Sequence, residues 1–173
     1  MRLIVAVIFL LLSQSVTASQ QRLPRGAAPE TLAALSVLSE GSEYLVDVTQ
    51  RDRMGTGRAL RITCRSGCNG FARFEEGASG FPLGIFRLSD RNRLILVTWG
   101  GATTTILQVF EIREHEAVMV FDRHSISTPQ VAEDRNGMVS LGTTEYPARG
   151  AGADRPLIVR NWVWDGHRFV ELR

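Results

Sequence analysis

The chain has 173 residues, of which 44% are apolar and 22% charged, and its mean hydropathy is close to zero. That balance excludes a disordered tail, a collagen and a multi-span membrane protein, and leaves one globular domain large enough to bury a core. All 20 basic residues are arginine, which rules out Schiff-base chemistry on a lysine and lysine-based phosphate grips of the Walker type.

The first segment reads as an export signal over residues 1–18. Arg2 supplies the charged start, Leu3 to Leu12 are apolar, and Val16-Thr17-Ala18 places small residues before a cut ahead of Ser19. Ten apolar residues are half of the roughly 20 that a transmembrane helix needs, so no membrane span is expected after cleavage. Removal of the signal leaves 155 residues with a net charge of +1, too little to indicate nucleic acid. The expected location is the periplasm or the medium. Residues 19–28, with Pro24 and Gly26, read as a linker, and 29–173 as a single β-rich domain. At its start, Leu32, Leu35 and Leu38 recur near a helical period before Gly41, which predicts one short helix over 29–41.

From Glu43 onward the pattern changes to short strands, expected at 44–49, 57–64, 71–75, 83–88, 94–99, 104–112, 117–122, 138–143, 157–164 and 167–172. The fold class is therefore mainly β, an antiparallel sandwich or open barrel of blade-like hairpins. Cys64 ends the second of these runs and Cys68 follows it. An exported chain with an even cysteine count oxidises them, and Cys64-Arg-Ser-Gly-Cys68 suits a hairpin loop with Gly67 in the left-handed conformation. The chain-entropy model gives so small a loop about 2 kcal/mol of stabilisation. The stretch 51–73 also holds six arginines against Asp52. Arg58, Arg61 and Arg65 are thus candidate contacts for an anionic ligand, the plain alternative being a solvated strand face.

A weak internal repeat organises the second half. Asp90-Arg91-Asn92-Arg93 before Leu94-Ile-Leu-Val97 recurs as Asp134-Arg135-Asn136-Gly137 before Met138-Val-Ser-Leu141, and a strand, turn and strand follow each copy. An earlier unit near Tyr44 to Glu75 shares the hairpin without the Asp-Arg-Asn signature. Residues 86–172 resemble the repeat units of FG-GAP or VCBS-type secreted β-propellers, in which an acidic turn precedes an apolar strand and a Trp-Asp-Gly hairpin closes the blade. The resemblance implies a calcium loop of the form D-x-D-x-D-G over residues 132–137. Ala132 stands at its first position, and a hard cation needs several oxygen ligands. No metal or other cofactor is expected, and Asp90 and Asp134 are read as turn caps. A closed propeller has about four or more blades, more than this length provides.

The last hairpin, read with a two-residue turn at Asp165-Gly166, pairs Trp164 with His167 and Trp162 with Phe169. One face then carries Val159, Val163, Val170 and Leu172, and the other Trp162, Trp164, Phe169 and an Arg160–Glu171 pair. If the aliphatic face is core, the aromatic face is a strip on which a sugar or peptide can stack; burial of both faces is the alternative. For catalysis, Asp122-Arg-His124-Ser125 brings an acid, an imidazole and a hydroxyl close in sequence, with Asp122 and His124 the first choices. Glu114-His115-Glu116 reads as a solvated hairpin tip. Gly77-Ala-Ser-Gly-Phe81 lacks the last glycine of a nucleophile elbow, and Gly55-Thr-Gly-Arg58 precedes a strand where a nucleotide loop must follow one. The reading is an exported, non-enzymatic binding or scaffolding protein of a bacterial envelope. Its partner would be an envelope protein or a glycan, with no nucleic acid, and its unclosed repeats would leave strand edges for a further partner. The alternative is a small periplasmic hydrolase using Asp122 and His124.

Overall fold

The computed structural model describes residues 31–39, 41–50, 57–68, 70–78, 80–89, 93–101, 103–147 and 156–172. The expected signal, the linker and the 90–92 copy of the Asp-Arg-Asn turn lie outside the described residues. Twelve strands follow in chain order: β1 (Thr31–Ser39), β2 (Ser42–Gln50), β3 (Arg58–Ser66), β4 (Phe74–Ala78), β5 (Phe81–Arg87), β6 (Leu94–Gly100), β7 (Thr105–Ile112), β8 (Ala117–Ser125), β9 (Gln130–Glu133), β10 (Val139–Glu145), β11 (Ile158–Trp164) and β12 (Phe169–Leu172). Each successive four make one antiparallel sheet with neighbours in sequence order. The molecule is therefore three up-and-down meanders, and no closed barrel is formed among the described residues.

All ten expected strands are present, and two more were not anticipated. The helix expected over 29–41 is corrected by β1, which pairs with β2 from Thr31↔Thr49 to Ser39↔Ser42. The same residues that give a helical leucine period also alternate as Ala33, Leu35 and Val37, and this second pattern faces the core. Thr31, Ser36, Val37 and Ser39 are weak helix formers, so pairing along a whole neighbouring strand decides the outcome. The other addition, β9, is short and exposed along its length, and takes its form from β10.

The three sheets stack. Tyr44, Val46, Val48, Leu60 and Ile62 of the first sheet meet Ile95, Val97, Trp99 and Phe110 of the central one in the first core. On the other side of the central sheet, Leu94, Leu96, Leu107, Val109 and Phe121 meet Val139, Leu141, Trp162, Trp164 and Phe169 of the third. Every residue of β6 from Leu94 to Trp99 is buried, which explains why it reads as an unbroken apolar run: a strand covered on both faces has no polar side to show. A three-sided prism would bury only one face of each sheet.

The sequence repeat becomes a repeat of position. Both copies precede the second strand of a sheet, β6 in one and β10 in the other. In the described copy, Asp134 Oδ1 accepts the amides of Asn136 and Met138, each at 2.8 Å. Gly137 takes φ +83°, a left-handed conformation that favours glycine. Ser89 and Glu133, the residues just before each Asp, touch: Ser89 Oγ donates to Glu133 Oε1 at 2.6 Å. β1 and β5 approach one another in the same way.

Candidate functional site

A bulge in β8 decides where the expected catalytic residues point. Phe110 pairs with Met119 and Val109 with Phe121, which leaves Val120 as the extra residue. One inserted residue exchanges the faces of everything beyond it. Ala117, before the bulge, belongs to the first core, and Phe121, after it, to the second. Asp122 and His124 consequently fall on the side of the first sheet, and Arg123 and Ser125 on the side of the third.

The acid–imidazole–hydroxyl run is thereby separated. Ser125 is buried; its hydroxyl donates to Ser127 O at 2.8 Å and accepts the Thr144 amide at 3.1 Å, on the face opposite Asp122 and His124. It ties the strand end to β10 and is no nucleophile. Asp122 and His124 remain side by side on one face, with His124 Nδ1 3.4 Å from Thr104 Oγ1. They have a neighbour that sequence reading missed. Glu76 of β4 stands opposite, and its carboxyl pKa is raised, first by desolvation and then by the charge of Asp122. Only the faces of the two strands, not their spacing, could have signalled this. Among the described residues, no three or more His, Cys, Asp or Glu are arranged to hold a metal ion.

Where β8 ends against β10 there is an open groove of about 360 Å³, lined by Thr104, Asp122, Arg123, His124, Ile126, Thr144, Glu145 and Tyr146. Tyr146 is 64% exposed. The Arg123 guanidinium lies 5.0 Å from the Trp162 ring centroid and 5.9 Å from that of Phe121, a cation–π support that holds its fork at the groove. Glu145 accepts from Arg160 Nε at 3.0 Å, and Arg160 also bonds Glu171, the partner expected from sequence. These bonds, to Glu171 first and Glu145 second, raise the already high Arg160 pKa. Tyr146 and Glu145 escaped the sequence reading; their one signal is an aromatic residue at a strand end immediately before Pro147.

The aromatic face of the last hairpin is corrected. Trp162, Trp164 and Phe169 are each only 8% exposed and form the second core with Phe121. Phe121 lies 5.4 Å from Trp162 and 5.0 Å from Phe169 between centroids, and Trp162 Nε1 donates to Thr143 Oγ1. The outward face is the aliphatic one. The two-residue turn is corrected as well: Trp164 pairs with Phe169, leaving a four-residue loop in which Asp165 Oδ1 accepts the amides of His167 and Arg168 at 2.8 and 2.9 Å. These amides, Arg168 first, lower the Asp165 pKa.

The arginines do not gather into one patch. Arg58 is buried, its guanidinium 3.7 Å over the Phe81 ring. Arg61 lies on the opposite face of β3, bound through Nε to Asp47 Oδ2 at 3.1 Å, and Arg65 is exposed at the strand end. Cys64 and Cys68 form the expected disulfide, with sulfurs 1.96 Å apart, and Gly67 takes φ +75°. The loop is longer than expected, because β4 starts at Phe74 and pairs it with Ile62. A Cβ at Gly67 would stand 2.5 Å from Gly41 O, so glycine is required there. His115 sits in the β7–β8 turn, as expected for a hairpin tip, and its carbonyl accepts the Ala72 amide.

Comparison of the chain with protein-family models, with curated proteins and with solved structures finds no match.

Proposed function

We propose that this is an exported, non-enzymatic binding protein of a bacterial envelope, active in the periplasm or the medium, and that the groove between β8 and β10 takes a glycan. The observation that carries the reading is the composition of that groove: an exposed Tyr146 ring beside the Arg123 fork, the Thr104 and Thr144 hydroxyls and the Asp122 and Glu145 carboxylates. An aromatic face with donors and acceptors around it suits a polyhydroxylated ligand, whose C–H faces stack while its hydroxyls hydrogen-bond. The three four-stranded meanders and the Asp134-capped turn support a relationship to FG-GAP or VCBS-type units. Calorimetric titration with soluble N-acetylglucosamine oligosaccharides tests the function. Binding is expected, with Tyr146→Ala weakening it at least tenfold and Phe81→Ala, far from the groove, leaving it unchanged. Absence of heat from the unmodified protein, or full affinity in Tyr146→Ala, overturns the assignment.

One observation favours a second reading, a small hydrolase using Asp122 and His124. Glu76, with its raised pKa beside Asp122, has the character of a general acid set beside a second carboxyl group. Turnover of the same oligosaccharides that disappears in both Asp122→Asn and Glu76→Gln would replace binding by catalysis.

A further inference from the structure

A second cavity lies at the turn by which the chain enters β8, roughly 30 Å of strand away from the groove where β8 ends. Four loops of the first and central sheets meet there. Ser39 and Ser42 flank the β1–β2 turn, Gly67 and Cys68 come from the disulfide loop, Arg93 stands just before β6, and Glu114 belongs to the β7–β8 turn. Each loop is anchored. Arg93 O accepts the Ile112 amide at 2.8 Å, and His115 O accepts the Ala72 amide at the same distance. The Cys64–Cys68 bridge closes the disulfide loop, and Ser42 Oγ donates to Gly67 O at 3.0 Å, which holds that loop to the start of β2. The cavity encloses about 380 Å³, near the lower end of the roughly 300–1,000 Å³ of ligand pockets, so its occupant is a small molecule.

Tyr44 points to a ligand. It is only 3% exposed, its ring edge-on to Phe71 with centroids 5.0 Å apart. Its hydroxyl lines the cavity and has no hydrogen-bond partner among the described residues. A buried tyrosine O–H ordinarily finds a partner. Around it the donors and acceptors are divided. Tyr44 and Ser39 bring hydroxyl hydrogens, and Arg93 brings a guanidinium with five N–H donors. The Ser42 hydroxyl has committed its hydrogen to Gly67 O, so only its lone pairs are left. The Glu114 carboxylate, 79% exposed at the rim, also only accepts.

We infer that this cavity binds a free α-amino acid, its carboxylate received by Tyr44, Ser39 and Arg93 and its ammonium by Ser42 and Glu114. The division of the walls selects a zwitterion. A simple anion would leave the Ser42 and Glu114 acceptors unmet and set a like charge beside Glu114, and a simple cation would do the same to the Tyr44 and Arg93 donors. A neutral sugar matches hydroxyls but brings no charge for either Arg93 or Glu114. The site is thus separate in place and in chemistry from the groove at Tyr146, and the disulfide serves as one of its walls.

Amide chemical-shift mapping by NMR tests this on the unmodified protein, with glycine, L-alanine and L-serine each titrated to about 10 mM, well above a millimolar dissociation constant. At least one should shift the amides of Ser42, Gly67 and Glu114 saturably and leave Thr144, in the other groove, unmoved. N-acetylation of that amino acid, which removes the ammonium, and its methyl ester, which removes the carboxylate, should each weaken binding at least tenfold. Tyr44→Phe, which keeps the packed ring and loses only the hydroxyl, should weaken it at least fivefold with unchanged circular dichroism, and Tyr146→Ala should leave it unchanged. No saturable shift with any of the three overturns the inference, as does full affinity in a folded Tyr44→Phe. Acetate binding as tightly as the amino acid would mean a bare anion site, and shifts confined to the surroundings of Thr144 would assign the ligand to the other groove; either result rejects the zwitterion site. Should Tyr44→Phe fail to fold, the acetylated and esterified ligands decide the matter without a variant, since affinity equal to the parent's is contrary evidence.

Discussion

The central and third sheets are built from the same four-strand plan and carry the same Asp-Arg-Asn sequence ahead of their second strand, yet they solve different burial problems. In β6, Leu94-Ile-Leu-Val97 sends Ile95 and Val97 to one neighbouring sheet and Leu94 and Leu96 to the other. At the matching positions of β10, Val139 and Leu141 still face the preceding sheet, but Ser140 replaces Leu96 on the far side. A repeat unit thus keeps one face constant, the face that meets its predecessor, and varies the other with the neighbour on its far side. The third sheet is only partly converted, since β10 has turned polar while Val159, Val163, Val170 and Leu172 on β11 and β12 have not.

The sharpest way to break this contrast is to cut matched positions. Leu96→Ala should cost about 2–5 kcal/mol, because it leaves a cavity between two packed sheets. Val159→Ala, at its outward position, should change stability by no more than about 0.5 kcal/mol. Urea denaturation of both variants checks this, and equal losses would mean that the third sheet is covered on both faces within one chain. A smaller effect is expected from Asp134→Ala, which orphans two amides accepted by one carboxylate and should cost about 1.5 kcal/mol. Its result shows how far the turn, as opposed to the packed face, holds β9 to β10.

The smallest effects are in pH dependence, and their signs differ between Glu76 of the first sheet and Asp165 of the third. The Glu76 pKa is raised in the fold, so folding favours its neutral form. Its contribution is present at pH below the ordinary carboxylate value and is lost as pH rises through the folded value, and Glu76→Gln should therefore stabilise the protein at pH 7 and do little at pH 3.5. The Asp165 pKa is lowered; its contribution is present above the ordinary value and disappears as pH falls through the folded one. Asp165→Asn should lower the melting temperature at pH 7 and leave it nearly unchanged at acid pH. Melting curves over that range separate the two, and a common direction would show that one assignment is reversed.

Much of the fold was legible because period-two patterning survives errors of detail. The last hairpin illustrates this: its register is two residues from expectation, since Asp165 draws two amides into a four-residue loop, yet a slip of two returns every side chain to the same face. What the pattern could not tell was which face is core, because Val159, Val163, Val170 and Leu172 are as apolar as the aromatic set. β1 was misread where two periods coexist in the nine residues Thr31–Ser39, and only a partner strand chooses between them. The candidate site was less legible. Asp122 and His124 were found by residue type, but the bulge at Val120 that separates them from Ser125 leaves no mark on composition, and Glu76 meets Asp122 only through the stacking of two sheets.

The bond between Ser89 and Glu133 gives the array a direction. Two units meet at the same internal position, yet one brings a hydroxyl donor and the other a carboxylate acceptor, so the joint is complementary without being symmetric. Identical residues would not serve, since two glutamates at 2.6 Å would repel one another. An engineered fourth unit would need its own donor at that place to join the chain.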